Sequence, residues 1–176
     1  MKTLSLFALI ITLTFTSCSS VKVVSDYDSK TDFSKYKTFA FYKPGIDKAK
    51  ISDLDKKRIM REIEANLAAK GIAISETPDM LVSIFTKERE RIDVYNNYGY
   101  GYGYGYGGWY GGGAYASSTT EGTLFIDFID TKKNELFWQG IGVGDLVMSS
   151  VEKKEARIKA IVTKILAQFP PGLESK

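Results

Sequence analysis

The chain of 176 residues has no histidine and only one cysteine. Without histidine there is no imidazole general base, no Ser-His-Asp triad and no histidine metal ligand. The one thiol, Cys18, ends an apolar leader and is expected to be consumed by lipid. That removes a cysteine nucleophile and a cysteine-based zinc site. With no second cysteine, no intrachain disulfide can form, although export would bring the chain to an oxidising compartment. Charge of either sign is also lacking in excess. Lys+Arg is 24 against Asp+Glu 21, and Lys2 is the only charge in residues 1–17, so the remainder carries 23 against 21. Nucleic-acid binding calls for a marked basic surplus or stripe, and none is present.

The leader itself is informative. Lys2 is followed by Leu4, Leu6, Phe7, Leu9, Ile10, Ile11, Leu13 and Phe15. A short positive start and an apolar stretch form a secretory signal. The stretch is too short to span a bilayer, which takes about 20 apolar residues. Phe15-Thr16-Ser17-Cys18 resembles a lipobox, with Phe where Leu is commoner. The organisation read from this is a signal peptide at 1–17, a lipidated tether at 18–20 and one domain at 21–172. A domain of that size buries a core without staples.

Hydrophobic spacing gives the elements. Val21 to Ser25 is β-prone, and Tyr36 to Tyr42 alternates as a strand with Phe39 and Phe41 on one face, ended by Pro44-Gly45. Ser52 to Lys70 predicts a helix: Ser52 with Asp55 resembles a capping box, Ile59, Met60, Ile63 and Leu67 form a stripe, and Gly71 suits the position after its end. Met80 to about Tyr95 is a long strand, apolar first and charged from Lys87 to Arg91. Thr123–Asp130 and Glu135–Val143 form a hairpin about Thr131–Asn134, with Leu124, Ile126 and Phe128 on one face. A closing helix follows, with Ser149 and Glu152 as its capping box and Ile158, Ile161, Val162, Ile165 and Leu166 as its stripe. The expected fold is α+β: a single, mostly antiparallel sheet of about five strands with two helices on one face. The other face is expected to stay uncovered and to carry some of Phe125, Ile129, Phe137 and Trp138, a surface for a partner.

Residues 98–113 hold nine Gly, six Tyr and one Trp. Glycine makes ordering costly in entropy, so 98–118 is read as a disordered Tyr/Gly-rich insert. Tyrosine rings with polar tips suit membrane interfaces and stacking. Two readings stand: a sticky loop using residues such as Tyr100, Tyr104 and Trp109, or a tolerated insertion with no single role.

Several short segments taken together resemble the DUF4136 lipoproteins, a domain of unknown function. They are Val24-Ser25-Asp26-Tyr27-Asp28, Asp32-Phe33-Ser34-Lys35-Tyr36-Lys37-Thr38-Phe39, Leu67-Ala68-Ala69-Lys70-Gly71, Pro78-Asp79-Met80-Leu81-Val82, Gly122-Thr123-Leu124, Phe128-Ile129-Asp130, Leu136-Phe137-Trp138-Gln139-Gly140 and Phe169-Pro170-Pro171. The resemblance covers the chain from near Val21 to Pro171. It implies location and fold, and brings no catalytic residues with it.

What chemistry remains is carboxylate chemistry. Asp26-x-Asp28 offers oxygen ligands to calcium, but the full EF-hand spacing is missing, and solvated carboxylates at a strand end are the plainer reading. Asp79 and Asp130 read as turn or cap residues. The run Lys87 to Arg91 either steers an anionic partner or is a solvated strand end with cross-strand ion pairs. The Gly-Tyr-Gly repeats lack the strand-to-helix setting that phosphate binding requires. The reading is therefore a non-catalytic binding or scaffolding lipoprotein, with no cofactor and no metal. Its membrane contact is lipid on Cys18, and its envelope partner is unknown. Ser19 at +2 favours the outer membrane, facing the periplasm, by resemblance to lipoprotein sorting rules. The alternatives are a hydrolase of envelope polymers working with two carboxylates, and a structural protein that self-associates through the Tyr/Gly segment. Growing cells fed a palmitate analogue are expected to label the wild-type protein and not Cys18→Ala. A soluble, unlabelled mature protein in both strains would remove the anchor.

Overall fold

A computed structural model of the protein describes residues 21–95, 115–145 and 150–172, with side chains over 21–87, 122–144 and 150–172. Cys18, the segments read as signal peptide and tether, and most of the segment read as a Tyr/Gly-rich insert lie outside the described residues. The elements in chain order are β1 (Lys22–Tyr27), β2 (Thr38–Phe41), α1 (Lys43–Asp47), α2 (Asp53–Ala69), β3 (Ala73–Ile74), β4 (Met80–Tyr95), β5 (Tyr115–Asp130), β6 (Leu136–Asp145) and α3 (Val151–Leu166). A 3₁₀ turn at Phe33–Lys35 joins β1 to β2.

The strands form one sheet in the order β1-β6-β5-β4-β2-β3. Strand β2 runs parallel to both β3 and β4, and the other pairs are antiparallel. The expectation of about five strands and two helices is thus corrected: the described residues form a six-stranded mixed sheet with three helices. Each difference has a physical cause. Strand β3 has two residues, too few to show alternation. Pro44-Gly45, read as a strand-ending turn, is the first turn of the five-residue α1, where proline's missing N–H removes no helical bond. The parallel pairing comes from α2, which carries the chain over the sheet, as parallel strands require. Asp79 secures it by accepting from Lys37 N, Thr38 N and Thr38 Oγ1 at 3.0, 3.0 and 2.8 Å.

The helix ends follow local chemistry. Ser52 Oγ accepts from Asp55 N at 3.2 Å, as its spacing predicts. At the far end Gly71 takes φ 77°. Gly71 N donates to Ala68 O and Ile72 N to Leu67 O, which closes a Schellman motif. For α3 the cap is Ser150, which accepts from Lys153 N at 3.3 Å, and not the neighbouring Ser149. The two long helices lie side by side and run in the same direction. Asp55 meets Lys154, Arg58 meets Glu155 and Asn66 meets Thr163, a nearly constant sequence offset.

One face of the sheet holds the core. Met80, Val82 and Ile84 of β4 and Leu124, Ile126 and Phe128 of β5 are buried there with Ile59, Ile63 and Leu67 of α2 and Ile161, Val162, Ile165 and Leu166 of α3. Helix α3 closes onto β6 because β6 offers it glycine. A Cβ on Gly140 would run into Ile165 and Trp138. One on Gly142 would come within 2.6 Å of Ile161 Cγ1 and 2.7 Å of Ile165 Cδ1. Overpacking at such a contact forces the helix off the sheet. Gly142→Val is expected to cost about 1–3 kcal/mol, read as a lower urea midpoint, while Lys159→Ala on the exposed side of α3 shifts it little.

Candidate functional site

Two surfaces are candidates, one on each face of the sheet. On the face away from α2 and α3, cross-strand register lines residues up in rows. Val24, Ile141, Phe125 and Phe85 form an apolar row across β1, β6, β5 and β4. Phe85 and Phe125 stack at 4.1 Å between centroids and 6° between planes. Lys87 Nζ stands 5.4 Å from the Phe125 centroid, a cation–π contact. The neighbouring row is polar: Asp26, Gln139, Asp127 and Ser83. Gln139 Nε2 donates to Asp127 Oδ1 at 2.7 Å. Burial pushes the Asp127 carboxyl above its usual range, and the Gln139 bond only partly offsets this.

Of the residues assigned to this face from the sequence, Phe125 and Ile129 stand on it and are half-buried. Trp138 does not: it is fully buried, with its ring centroid 4.7 Å from Phe128 and 5.3 Å from Phe169. It alternates with Gly140 and Gly142 on the helix side of β6 and pairs with the inward-facing Phe128. Phe128 pairs with Trp138 and Ile129 with Leu136, so Phe137 is an extra residue in β6. Strict alternation cannot bury both Phe137 and Trp138; the bulge does. Phe137 is itself covered by Tyr36, stacked at 4.0 Å, whose hydroxyl donates to Asp130 Oδ2 at 2.8 Å. Tyr100, Tyr104 and Trp109 lie outside the described residues.

The strand-end carboxylates act locally. Asp26 Oδ1 accepts from Tyr27 N and Asp28 Oδ1 from Lys30 N, both at 2.9 Å. Among the described residues no group of three or more acidic, Cys or His side chains could hold a metal. No helix among them is long and apolar enough to cross a membrane.

The second surface lies on the helix side, bounded by the starts of α2 and α3 and by β4 and β5. It is a cavity of about 500 Å³. Its apolar lining comes from Ile51, Ile59, Leu124, Ile158 and Ile161, and its cations are Lys50, Lys154 and Arg157. Arg157 is set by a third glycine: a Cβ on Gly144 would come within 2.6 Å of its Nη2 and 3.0 Å of its Cζ. Lys154 Nζ reaches Asp55 Oδ2 at 3.2 Å, and Arg58 Nη1 reaches Asp55 Oδ1 at 2.9 Å. Burial works to raise the Asp55 carboxyl, but hydrogen bonds from Ser52, Lys154 and Arg58 outweigh it and hold the group below its usual value. Thr86 Oγ1 is buried in the lining with no hydrogen-bond partner among the described residues. The sequence reading passed over this site. Its only trace was Lys154, Arg157, Ile158 and Ile161 at i, i+3, i+4 and i+7, one helix face carrying both charge and apolar bulk.

The family model described as "Domain of unknown function (DUF4136)" matches residues 23–171. No curated protein matches the sequence. Among solved structures, the chain is similar to a PDZ domain protein from Parabacteroides distasonis, with 17% identity and a TM-score of 0.54. The alignment covers 89% of this chain and 37% of that one, so this chain spans little more than a third of its length. A PelC dodecamer structure from Paraburkholderia phytofirmans aligns at 13% identity and a TM-score of 0.48, over 84% of this chain and 96% of that one.

Acid should loosen this fold through identifiable groups. Asp55, Asp79 and Asp130 all lie below the ordinary carboxylate value of 3.8. A depressed folded value means the stability they contribute is full above the unfolded value and is lost as pH falls through the folded one. Chemical denaturation followed from neutral pH to below pH 4 is expected to show falling stability. Asp55→Asn is expected to lower stability at neutral pH and to flatten the acid limb.

Proposed function

The chain belongs to the DUF4136 family, and from that premise we propose that it is a non-catalytic binding module held on the envelope membrane by lipid on Cys18. The observation that carries the reading is the apolar row Val24–Ile141–Phe125–Phe85 on the sheet face opposite the two long helices. Val24 is 58% exposed and Ile141, Phe125 and Phe85 are half-buried, and an apolar row partly open to solvent supports a contact surface. Lys87 beside Phe125 and the Asp127–Gln139 pair frame it with polar groups, as at the rim of a protein interface. The leader Lys2–Phe15 and the Phe15–Cys18 lipobox support export and acylation, and the two or three acyl chains of a mature lipoprotein suffice for stable anchoring. Ser19 at +2 supports the outer membrane, with the domain in the periplasm.

The carboxylate-hydrolase reading rests on Asp127, the one acid in the two rows that burial shifts upward. Its hydrogen-bond partner is an amide, and Asp26 stands beyond that amide, two strands away, with Oδ1 turned to its own backbone. Such catalysis needs two close acids with their pKa values driven apart. Asp127→Asn keeps the acceptor for Gln139 and removes the acid. In a strain lacking the chromosomal copy, Asp127→Asn is expected to restore the envelope phenotype fully. Phe125→Glu, which charges the open row, and Cys18→Ala are expected to fail. Loss of function in Asp127→Asn with a normal melting curve would favour the hydrolase.

A further inference from the structure

We propose that the outer part of the β4–β5 hairpin lies along the surface of the anchoring membrane, with the side that holds Lys87, Arg89 and Arg91 against anionic lipid headgroups. This rests on the Cys18 anchor proposed above, and it adds a lipid contact to the protein partner read for the apolar row.

Register supplies the geometry. Strand β6 pairs with β5 only as far as Glu121↔Asp145, and β2 pairs with β4 only from Met80 to Val82. From Glu90↔Thr120 to Tyr95↔Tyr115, β4 and β5 pair with each other and, among the described residues, with no other strand. A two-stranded ribbon alone is marginal in water and gains from a surface to lie on. Strand β1 starts at the end of the sheet from which this ribbon leaves: Lys22 pairs with Val143, Val143 with Thr123 and Thr123 with Lys87. Cys18 is four residues before Lys22, a reach of at most about 14 Å. Tyr95 is eight residues beyond Lys87, about 26 Å along a strand. With both pointed at the membrane, the ribbon outreaches the tether by about 12 Å. It cannot make up the difference by entering the bilayer, because hydrocarbon offers no hydrogen bonds to an open strand edge. The domain leans instead, and the ribbon lies along the interface.

Charge decides which side of the ribbon faces the lipid. Lys87 stands over Phe125 on the open face, so strand alternation puts Arg89, Arg91, Asp93 and Tyr95 on that side too. Along the hairpin from Lys87↔Thr123 to Tyr95↔Tyr115 this side holds three cations, Lys87, Arg89 and Arg91, and two acids, Asp93 and Glu121. The other side holds Glu88 and Glu90 and no cation. Residues 96–114, between the two strands, contain no charged residue, so they do not alter this balance. At the base, Lys22 and Asp145 add one charge of each sign to the first side. An anionic surface attracts the first side and repels the second. The outermost pair on the first side is Tyr95↔Tyr115, and tyrosine is favoured at the headgroup level.

The test uses the chain from residue 18 with Cys18→Ala. It keeps every described residue and omits the lipid and the apolar leader, either of which would enter vesicles by itself. Co-sedimentation is measured with vesicles of phosphatidylcholine alone or with about 30% phosphatidylglycerol. The anionic vesicles are expected to bind at least about 25-fold more tightly, and the difference to shrink as salt is raised. Arg89→Gln with Arg91→Gln is expected to weaken that binding about 25-fold with an unchanged melting curve, and Arg89→Lys with Arg91→Lys to keep it. Lys132→Gln with Lys133→Gln removes the same charge from the turn after β5, at the other end of the sheet, and is expected to change binding less than about twofold. Equal binding to the two vesicles, equal weakening by the two glutamine pairs, or full binding by the Arg89→Gln, Arg91→Gln chain would each overturn the proposal. Capture on dextran sulfate with no binding to either vesicle would assign the cations to a soluble polyanion and overturn it as well. The Cys18 anchor is decided separately by palmitate labelling, so either reading can fail alone.

Discussion

The close approach of α3 to β6 is the contact from which the rest of the architecture follows. It is possible because Gly140 and Gly142 put no side chain between helix and sheet, so Ile161 and Ile165 sit directly against the strand. Trp138 fills the space beside Gly140 and joins Phe128 and Phe169 in an aromatic cluster. Packing at crystal density makes such a contact unforgiving, because one added methylene has nowhere to go. One pleat further along, Gly144 sets Arg157. The same absence of side chains thus seats the helix and aims a cation.

A second constraint acts at the other side of the sheet. The βαβ crossover through α2 makes β2 parallel to β4, and Asp79 ties the two strands together through the backbone and hydroxyl of Thr38. Because α2 and α3 run in the same direction, their first turns lie at one end of the domain. Asp55 there joins Arg58 and Lys154, and the gap beneath opens as the cavity. Its existence depends on two helix starts, α1's exit through Lys50 and Ile51, and the strands β4 and β5 below.

The two faces of the sheet have different chemistry. The helix face is apolar, with aliphatic side chains and the Trp138–Phe128–Phe169 cluster, and has cations at one end. The open face carries rows set by antiparallel register, an apolar one across four strands beside a polar one centred on Asp127 and Gln139. Cross-strand neighbours interact strongly enough to hold such rows. The stacked Phe85–Phe125 pair with its Lys87 neighbour lies in the apolar row. One small domain thus has an apolar row on one side of its sheet and a cavity on the other.

The sequence by itself determined what depends on neighbours along the chain. The stripe Ile59-Ile63-Leu67, the caps at Ser52 and Gly71, the β5 face of Leu124, Ile126 and Phe128, and the turn around Asn134 were all legible, because period and capping are local properties. The family was legible from short segments in order. Only tertiary structure decided the rest. Trp138 faces the helices with Gly140 and Gly142, and the bulge at Phe137 lets that neighbour be buried as well. The strand β3 exists only because β2 offers it an edge. Helix α1 was hidden in a Pro-Gly pair that serves turns and helix starts alike. The cavity assembles residues from positions 50–59, 86, 122–124 and 154–161, and no local pattern can bring together side chains that meet only after the chain has crossed the sheet.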